Sequence, residues 1–352
     1  MNPVAYFWGI FSEFIPDEEV EKVLAEISKE EWRIIMENNI WLDGIFGVVV
    51  GDALGCPVEF KNRDVRKADP VVDMREYGTF DLPRGSWTDD SSMALAELDS
   101  IGRLGCINLN DMMESFTRWY RNGDYTPFGR AFDIGNICQR AISRYQRSKD
   151  PYSCGGVAEY DNGNGSLMRI MPACIYAYEK SMSIRDAINM IHEVSGLTHN
   201  HNRAKIACGL YYFLASAILK ENGPLLERLQ KGMDEGFLYY GHLDDYAEEL
   251  KTYSRIRTVD IFSLTPEEDI RSGGYVVDSL EASVWCLART ENYKDCTLLA
   301  VNLGDDTDTT AAIVGGLAGL YYGIDSIPKE WIDCIQKKEW IEDLCERASN
   351  NK

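Results

Sequence analysis

Two acidic runs carry the clearest chemical signal in the chain. Trp87-Thr88-Asp89-Asp90-Ser91 stands directly ahead of the apolar stretch Met93-Ala94-Leu95-Ala96, and Asp305-Asp306-Thr307-Asp308-Thr309-Thr310 stands ahead of Ala311-Ala312-Ile313-Val314-Gly315-Gly316. Asp and Thr are natural helix N-caps, but capping needs one such residue per helix. It gives no reason for several carboxylates side by side, which repel unless a cation lies among them. The donors are all oxygen, with no Cys or His interleaved, so hard ions such as Mg²⁺ or Mn²⁺ suit them better than zinc. A helix N-terminus is itself positive, so several carboxylates are needed to hold a cation there.

Three further stretches stand out. In Gly51-Asp52-Ala53-Leu54-Gly55-Cys56-Pro57-Val58-Glu59, glycines at 47, 51 and 55 form one small helix face that lets another backbone approach. Tight packing is the ordinary reading of those glycines. Glu59 differs, because a loop carboxylate beyond a tightly packed helix can reach into a cleft. Asp161-Asn162-Gly163-Asn164-Gly165-Ser166 leads into Leu167-Met168-Arg169-Ile170-Met171-Pro172. Free amides of small residues at a helix N-terminus suit a phosphate, although a bare Gly-x-Gly also makes a simple turn. Thr198-His199-Asn200-His201 opens a long apolar helix, where a histidine contact to a ligand, or a satisfied helix-start histidine, is favoured over metal ligation.

These residues are positioned by helices. Apolar periodicity predicts helices at 43–55, 90–104, 109–122, 130–147, 165–180, 183–195, 201–221, 243–254, 279–289, 293–303, 308–322 and 328–346. Alternating hairpin patterns are absent, so the expected fold is all-α, with one large domain at 41–348 and a Glu-rich helical appendage at 1–40. The chain has 352 residues, 45% of them hydrophobic, which suffices for a large core. With 57 acidic and 36 basic side chains its net charge is −21, which disfavours non-specific binding to nucleic acid and anionic membranes. No apolar run is read as reaching the ~20 residues of a membrane span. The N-terminus lacks a basic n-region, and ten cysteines scattered singly suggest reduced thiols. A cytoplasmic location is expected. The Asp-Thr-Asp-Thr-Thr run also fits the pattern of haloacid dehalogenase-type phosphatases, but that fold needs an α/β domain after it, and helices follow instead.

The motifs in this order resemble the ADP-ribosylglycohydrolase family across roughly residues 42–346. They are Gly51-Asp52-Ala53-Leu54-Gly55 with Glu59, Gly85-Ser86-Trp87-Thr88-Asp89-Asp90-Ser91, Tyr125-Thr126-Pro127-Phe128-Gly129-Arg130, Gly163-Asn164-Gly165-Ser166-Leu167-Met168-Arg169, Leu197-Thr198-His199 and Gly304-Asp305-Asp306-Thr307-Asp308-Thr309. The resemblance implies an orthogonal all-α helical domain with a centre of two divalent cations, Mg²⁺ or Mn²⁺. Thr88, Asp89 and Asp90 would hold one side of it, and Asp306, Asp308 and Thr309 the other, with Asp90 and Asp306 also in the catalytic set. Glu59 would be a gate or acid/base group beside the metals. Asp161, Asn162, Gly163, Asn164, Gly165 and His199 would bind substrate, with backbone N–H groups of Asn162–Gly165 holding a diphosphate. Asp305, where the family often has Gly, is not expected to be a ligand.

The implied reaction is hydrolysis of the glycosidic bond between ADP-ribose and an acceptor, with ADP-ribose or an ADP-ribosylated substrate as partner. Two alternatives stay open at this point. One is a non-catalytic ADP-ribose-binding or structural protein on the same scaffold; the other is a hydrolase of a related ribosyl or nucleotide-sugar compound.

Overall fold

The computed structural model describes residues 39–351; the expected appendage lies, up to residue 38, outside the described residues. Among the described residues the architecture is helical throughout. Its only β-type pairings are isolated bridges, Tyr77 to Leu82, Gly156 to His199 and Gly163 to Tyr275.

Two buried helices form the axis. Helix α1 (Ile40–Gly55) starts where the Asn39 side chain accepts a hydrogen bond from Trp41 N–H at 3.1 Å. It is apolar almost all round, as a helix surrounded by protein must be. With the turn that follows, Ile40–Val58 is long and apolar enough to cross a membrane, but 78% of that window is buried inside the protein. Against the expectation from sequence, a run of membrane-spanning length and hydropathy is present, and its burial makes it a core helix.

Further along the chain come α2 (Arg63–Ala68), α3 (Asp89–Leu104), α4 (Leu109–Asn122), α5 (Asn136–Ser148), α6 (Met171–Glu179), α7 (Ile184–Gly196) and α8 (Asn202–Lys220). Then follow α9 (Leu225–Gly241), α10 (Asp244–Leu250), α11 (Val259–Ser263), α12 (Val276–Ala288), α13 (Tyr293–Asn302), α14 (Thr307–Tyr322), α15 (Lys329–Cys334) and α16 (Lys338–Ser349). Helix α14 packs antiparallel on α1, backbone against backbone. A Cβ built at Gly51 would lie 2.1 Å from the Ala311 carbonyl oxygen, and one at Gly55 would lie 2.4 Å from Asp308 N and Cα. Only glycine permits that approach. The antiparallel crossing sets the C-terminal end of α1, and hence Glu59, beside the N-terminal end of α14, where the second acidic run begins.

Several expected boundaries move, each for a physical reason. The segment expected at 130–147 becomes helical only at Asn136, because Gly129 and Asp133 adopt φ values of 73° and 56°. The stretch 165–169 is a turn, and α6 starts at Met171, with Pro172 in its first turn. The range 328–346 is split at Lys337, whose φ is 52°. Helix α9 was not anticipated, since Gly232 and Gly236 weaken its helical pattern. They let it close on α8, where a Cβ at Gly232 would meet the Phe213 carbonyl at 2.7 Å.

Candidate active site

The two acidic runs meet although they lie more than two hundred residues apart. Asp90 Oδ2 accepts from Thr88 Oγ1 at 3.1 Å and from Thr309 Oγ1 at 3.3 Å, joining the start of α3 to the start of α14. Neither run is spent on capping its own helix. Thr88 and Asp306 occupy the N-cap positions of α3 and α14 without a side-chain capping bond. For α3 the capping carboxylate comes from α1. Fully buried Asp52 accepts from Thr88 N–H at 3.0 Å, Thr88 Oγ1 at 3.1 Å, Ser91 N–H at 2.9 Å and Ser91 Oγ at 2.6 Å. That substitution leaves Asp89 and Asp90 free to face the interior.

The second run is fixed from three sides. Asp306 N–H donates to Ser272 O at 2.9 Å, and Asn164 Nδ2 donates to Asp306 Oδ2 at 2.8 Å and to Ser279 Oγ at 2.9 Å. Asp308 Oδ1 accepts from Thr309 N–H at 2.9 Å, and Thr307 Oγ1 donates to Gly55 O at 2.9 Å. Asp305 is exposed and turned away; its left-handed backbone (φ 59°) pairs with Lys61 O and Phe60 N–H instead.

Together Glu59, Asp89, Asp133, Asp306 and Thr309 line a cavity of about 550 Å³, with Asp90 and Asp308 buried behind them. One carboxylate oxygen each from Glu59, Asp306 and Asp308 lies within 4.8 Å of the other two. Burial, and then repulsion from neighbouring carboxylates, pushes the carboxyls of Glu59, Asp89, Asp90 and Asp308 well above the ordinary range. Buried Asp90 Oδ1, Asp308 Oδ2 and Glu59 Oε2 have no hydrogen-bond partner. Orphaned carboxylate oxygens cost free energy unless something binds them. The all-oxygen donor set, its crowding and its orphaned atoms fit a hard divalent cation.

Gly163, Asn164, Gly165, Met168 and His199 line the cavity as well, as the expected substrate wall. His199 is held by backbone pairing of Gly156 N–H to Thr198 O at 2.8 Å and Asn200 N–H to Gly156 O at 2.7 Å. Its Nδ1 lies 2.8 Å from Thr198 Oγ1, and burial, with the positive charges of Arg169 and Arg140, lowers its pKa to about 3, so the ring is neutral. Beneath it, Arg169 and Glu97 form a fully buried ion pair, and Arg169 also donates to Val194 O and Thr198 Oγ1 at 3.0 Å each.

The substrate wall departs from expectation in three respects. The Asn164 N–H donates to Gly274 O at 3.0 Å, and 165–169 is a turn, so the expected row of free amides at a helix start is not formed. Asp161 does not line the cavity; its carboxylate accepts from Arg140 at 2.8 Å and from Ala158 N–H at 3.1 Å. Asn162 lines a smaller adjoining recess with Glu159, Tyr160 and Tyr275. Sequence reasoning missed Asp52, Asp133 and Arg140. Asp133 and Arg140 fell inside a stretch read as one helix, and Asp52 inside a motif read for its glycines.

A family model described as ADP-ribosylglycohydrolase matches residues 40–352. The chain is 32% identical over 303 residues to the ADP-ribosylarginine hydrolase Tri1 of Serratia proteamaculans, covering 86% of this chain and 77% of the relative. It is 29% identical over 302 residues to the ADP-ribosyl-[dinitrogen reductase] glycohydrolase of Rhodospirillum rubrum, covering 84% and 90%. A solved structure titled as an ADP-ribosylglycohydrolase-related protein complex superposes with a TM-score of 0.73 at 30% identity, covering 90% of this chain and 99% of that one. With the helical fold and the joined acidic runs already in place, the chain belongs to the ADP-ribosylglycohydrolase family.

Proposed function

We propose that the protein is a metal-dependent hydrolase that cleaves the bond between C1″ of ADP-ribose and a guanidinium nitrogen of arginine. The observation that carries this reading is the convergence of both acidic runs with Glu59 on one cavity. Thr88, Asp89 and Asp90 on one side, and Asp306, Asp308 and Thr309 on the other, would hold two divalent cations, Mg²⁺ or Mn²⁺. When bound, such ions supply a Lewis-acidic hold on the ribose hydroxyls and make a water more acidic.

The chain's own side chains do the rest. Asn164 fixes the Asp306 carboxylate through its amide, so Asp306 presents a defined orientation to the cleft. Glu59 Oε2, buried and unpartnered, is placed to give a proton to the departing nitrogen or to take one from the attacking water. Asp133, against Glu59, makes the group a carboxyl pair that can keep one proton between them. Among the described residues Arg140 is the one lysine or arginine lining the cavity; it pairs with Asp161 at 2.8 Å, and its half-exposed guanidinium keeps donors for a diphosphate. Neutral His199 and the Cβ-free edges of Gly163 and Gly165 leave room for the ribose.

The acceptor assignment draws on a cavity lined by several acidic side chains, which suits a cationic leaving group, and on the arginine in the name of the Serratia relative. The test is turnover of ADP-ribosyl-arginine and ADP-ribosyl-serine peptides with Mg²⁺, Mn²⁺ or EDTA. Release of ADP-ribose from arginine in the metal-containing samples alone is expected. Full activity in EDTA refutes the metal, and cleavage confined to serine refutes the acceptor. Glu59→Gln should lower turnover by about 10²-fold and leave ADP-ribose binding intact.

A further inference from the structure

Directly beside Glu59 stands a residue that the hydrolytic chemistry does not use. Phe60 lines the cavity, is 65% exposed, and holds a left-handed backbone conformation with φ 62°. A bulky aromatic residue with positive φ is a true outlier, and such strain persists only where the surroundings fix it. Here they do. Phe60 N–H donates to Asp305 O at 2.8 Å and Asp305 N–H returns to Lys61 O at 2.8 Å, while Thr79 Oγ1 donates to Glu59 O at 2.8 Å. The ring is then continued by two others. Phe80 meets Phe60 edge-on with centroids 6.2 Å apart, and Phe132 meets Phe80 at 5.2 Å. Three loops thus contribute one aromatic ridge, with Glu59 adjoining Phe60 and Asp133 adjoining Phe132 in the chain.

We infer that this ridge is the acceptor subsite, with Phe60 as a specificity-determining residue that stacks on the guanidinium of the ADP-ribosylated arginine. The inference rests on the arginine reading above and deepens it. A planar cation is attracted to an aromatic face by the ring quadrupole. The carboxyl groups of Glu59 and Asp133 at the ridge's edge offer oxygen acceptors to the guanidinium N–H groups, which a serine linkage lacks. An ordinary core role does not account for the exposure of Phe60, since a packed clamp for the Glu59 loop would bury the ring. The outlier conformation turns Phe60 outward at the mouth immediately after Glu59 is turned inward.

The experiment compares wild type, Phe60→Ala and Phe60→Trp on ADP-ribosyl-arginine peptide, with ADP-ribose binding by calorimetry and melting temperature as controls. For Phe60→Ala the expected result is a KM for the arginine peptide raised about 5- to 30-fold, the equivalent of roughly 1–2 kcal/mol of cation–π contact. Its kcat and ADP-ribose affinity should stay within about twofold of wild type, and Phe60→Trp should restore KM. An unchanged KM overturns the inference alone, and so does a fall in ADP-ribose affinity parallel to the rise in KM. Wild-type protein inactive on the arginine peptide overturns the arginine reading and this inference together.

Discussion

Removing the Asp52 carboxylate should weaken metal binding as well as folding, and the hydrogen bonds show why. Asp52→Ala leaves the N–H groups of Thr88 and Ser91 buried without acceptors, since neither N-cap nor N3 donor of α3 has another partner. Each buried donor so orphaned costs roughly 1–3 kcal/mol, or about 2–6 kcal/mol for the two, while the hydroxyls can rotate to other partners. Against this, burial raises the Asp52 carboxyl to about 6, so removing the buried charge offsets part of that loss. The net loss of stability should therefore stay below about 6 kcal/mol. That anchor fixes Thr88 and the first turn of α3, so Mn²⁺ affinity by calorimetry should fall at least about tenfold, the equivalent of a single lost buried hydrogen bond to a charge. Ser91→Ala keeps the carboxylate and removes one of its donors; its expected effect is about 2- to 5-fold. Asp52→Ala binding Mn²⁺ within twofold of wild type would show that Asp52 does not anchor the site. Were Asp52 a direct ligand rather than an anchor, Ser91→Ala would leave affinity untouched.

Three other outcomes follow from the same geometry. Gly55→Ala forces a Cβ to within 2.4 Å of the Asp308 backbone, so α1 and α14 must part; about 1–3 kcal/mol of stability should be lost in chemical denaturation, with weaker Mn²⁺ binding. Burial raises the site carboxyls, Asp133 to about 7, so the folded metal-free protein retains protons that the unfolded chain has lost, and its stability falls as pH rises from about 4 through 7. Mn²⁺ must displace those protons, so the melting-temperature gain on saturation should be small at pH 5 and grow to pH 8; a gain independent of pH contradicts the assignment. Glu97→Ala strands the buried Arg169 guanidinium and should cost about 3–5 kcal/mol by urea denaturation, whereas pairing it with Arg169→Met should recover much of that loss.

The helices that read clearly from sequence are those whose burial is one-sided or complete. α4 shows its Met112, Phe116 and Trp119 stripe, and α14 its unbroken small apolar run. The glycine face of α1 announced a close backbone partner, and that partner is α14. The acidic runs were legible because their composition exceeds what capping requires. What stayed hidden depends on tertiary contact. Asp52 caps a helix 36 residues away, so nothing local marks it. Asp133 stands in a left-handed turn inside an apparent helical pattern. The Gly163–Gly165 stretch reads as an anion-binding helix start, yet the Asn164 amide is taken by Gly274, more than a hundred residues on. α9 was lost to its glycines, which serve packing rather than a break.

If the two runs at opposite ends of the domain form one metal centre, anomalous diffraction from crystals soaked in Mn²⁺ will show it. Density is expected in the 550 Å³ cavity, with oxygens of both Thr88–Asp90 and Asp306–Thr309 at roughly 2.0–2.6 Å from the ions. Manganese bound by only one of the two runs, or found only at another carboxylate cluster, would contradict a shared centre.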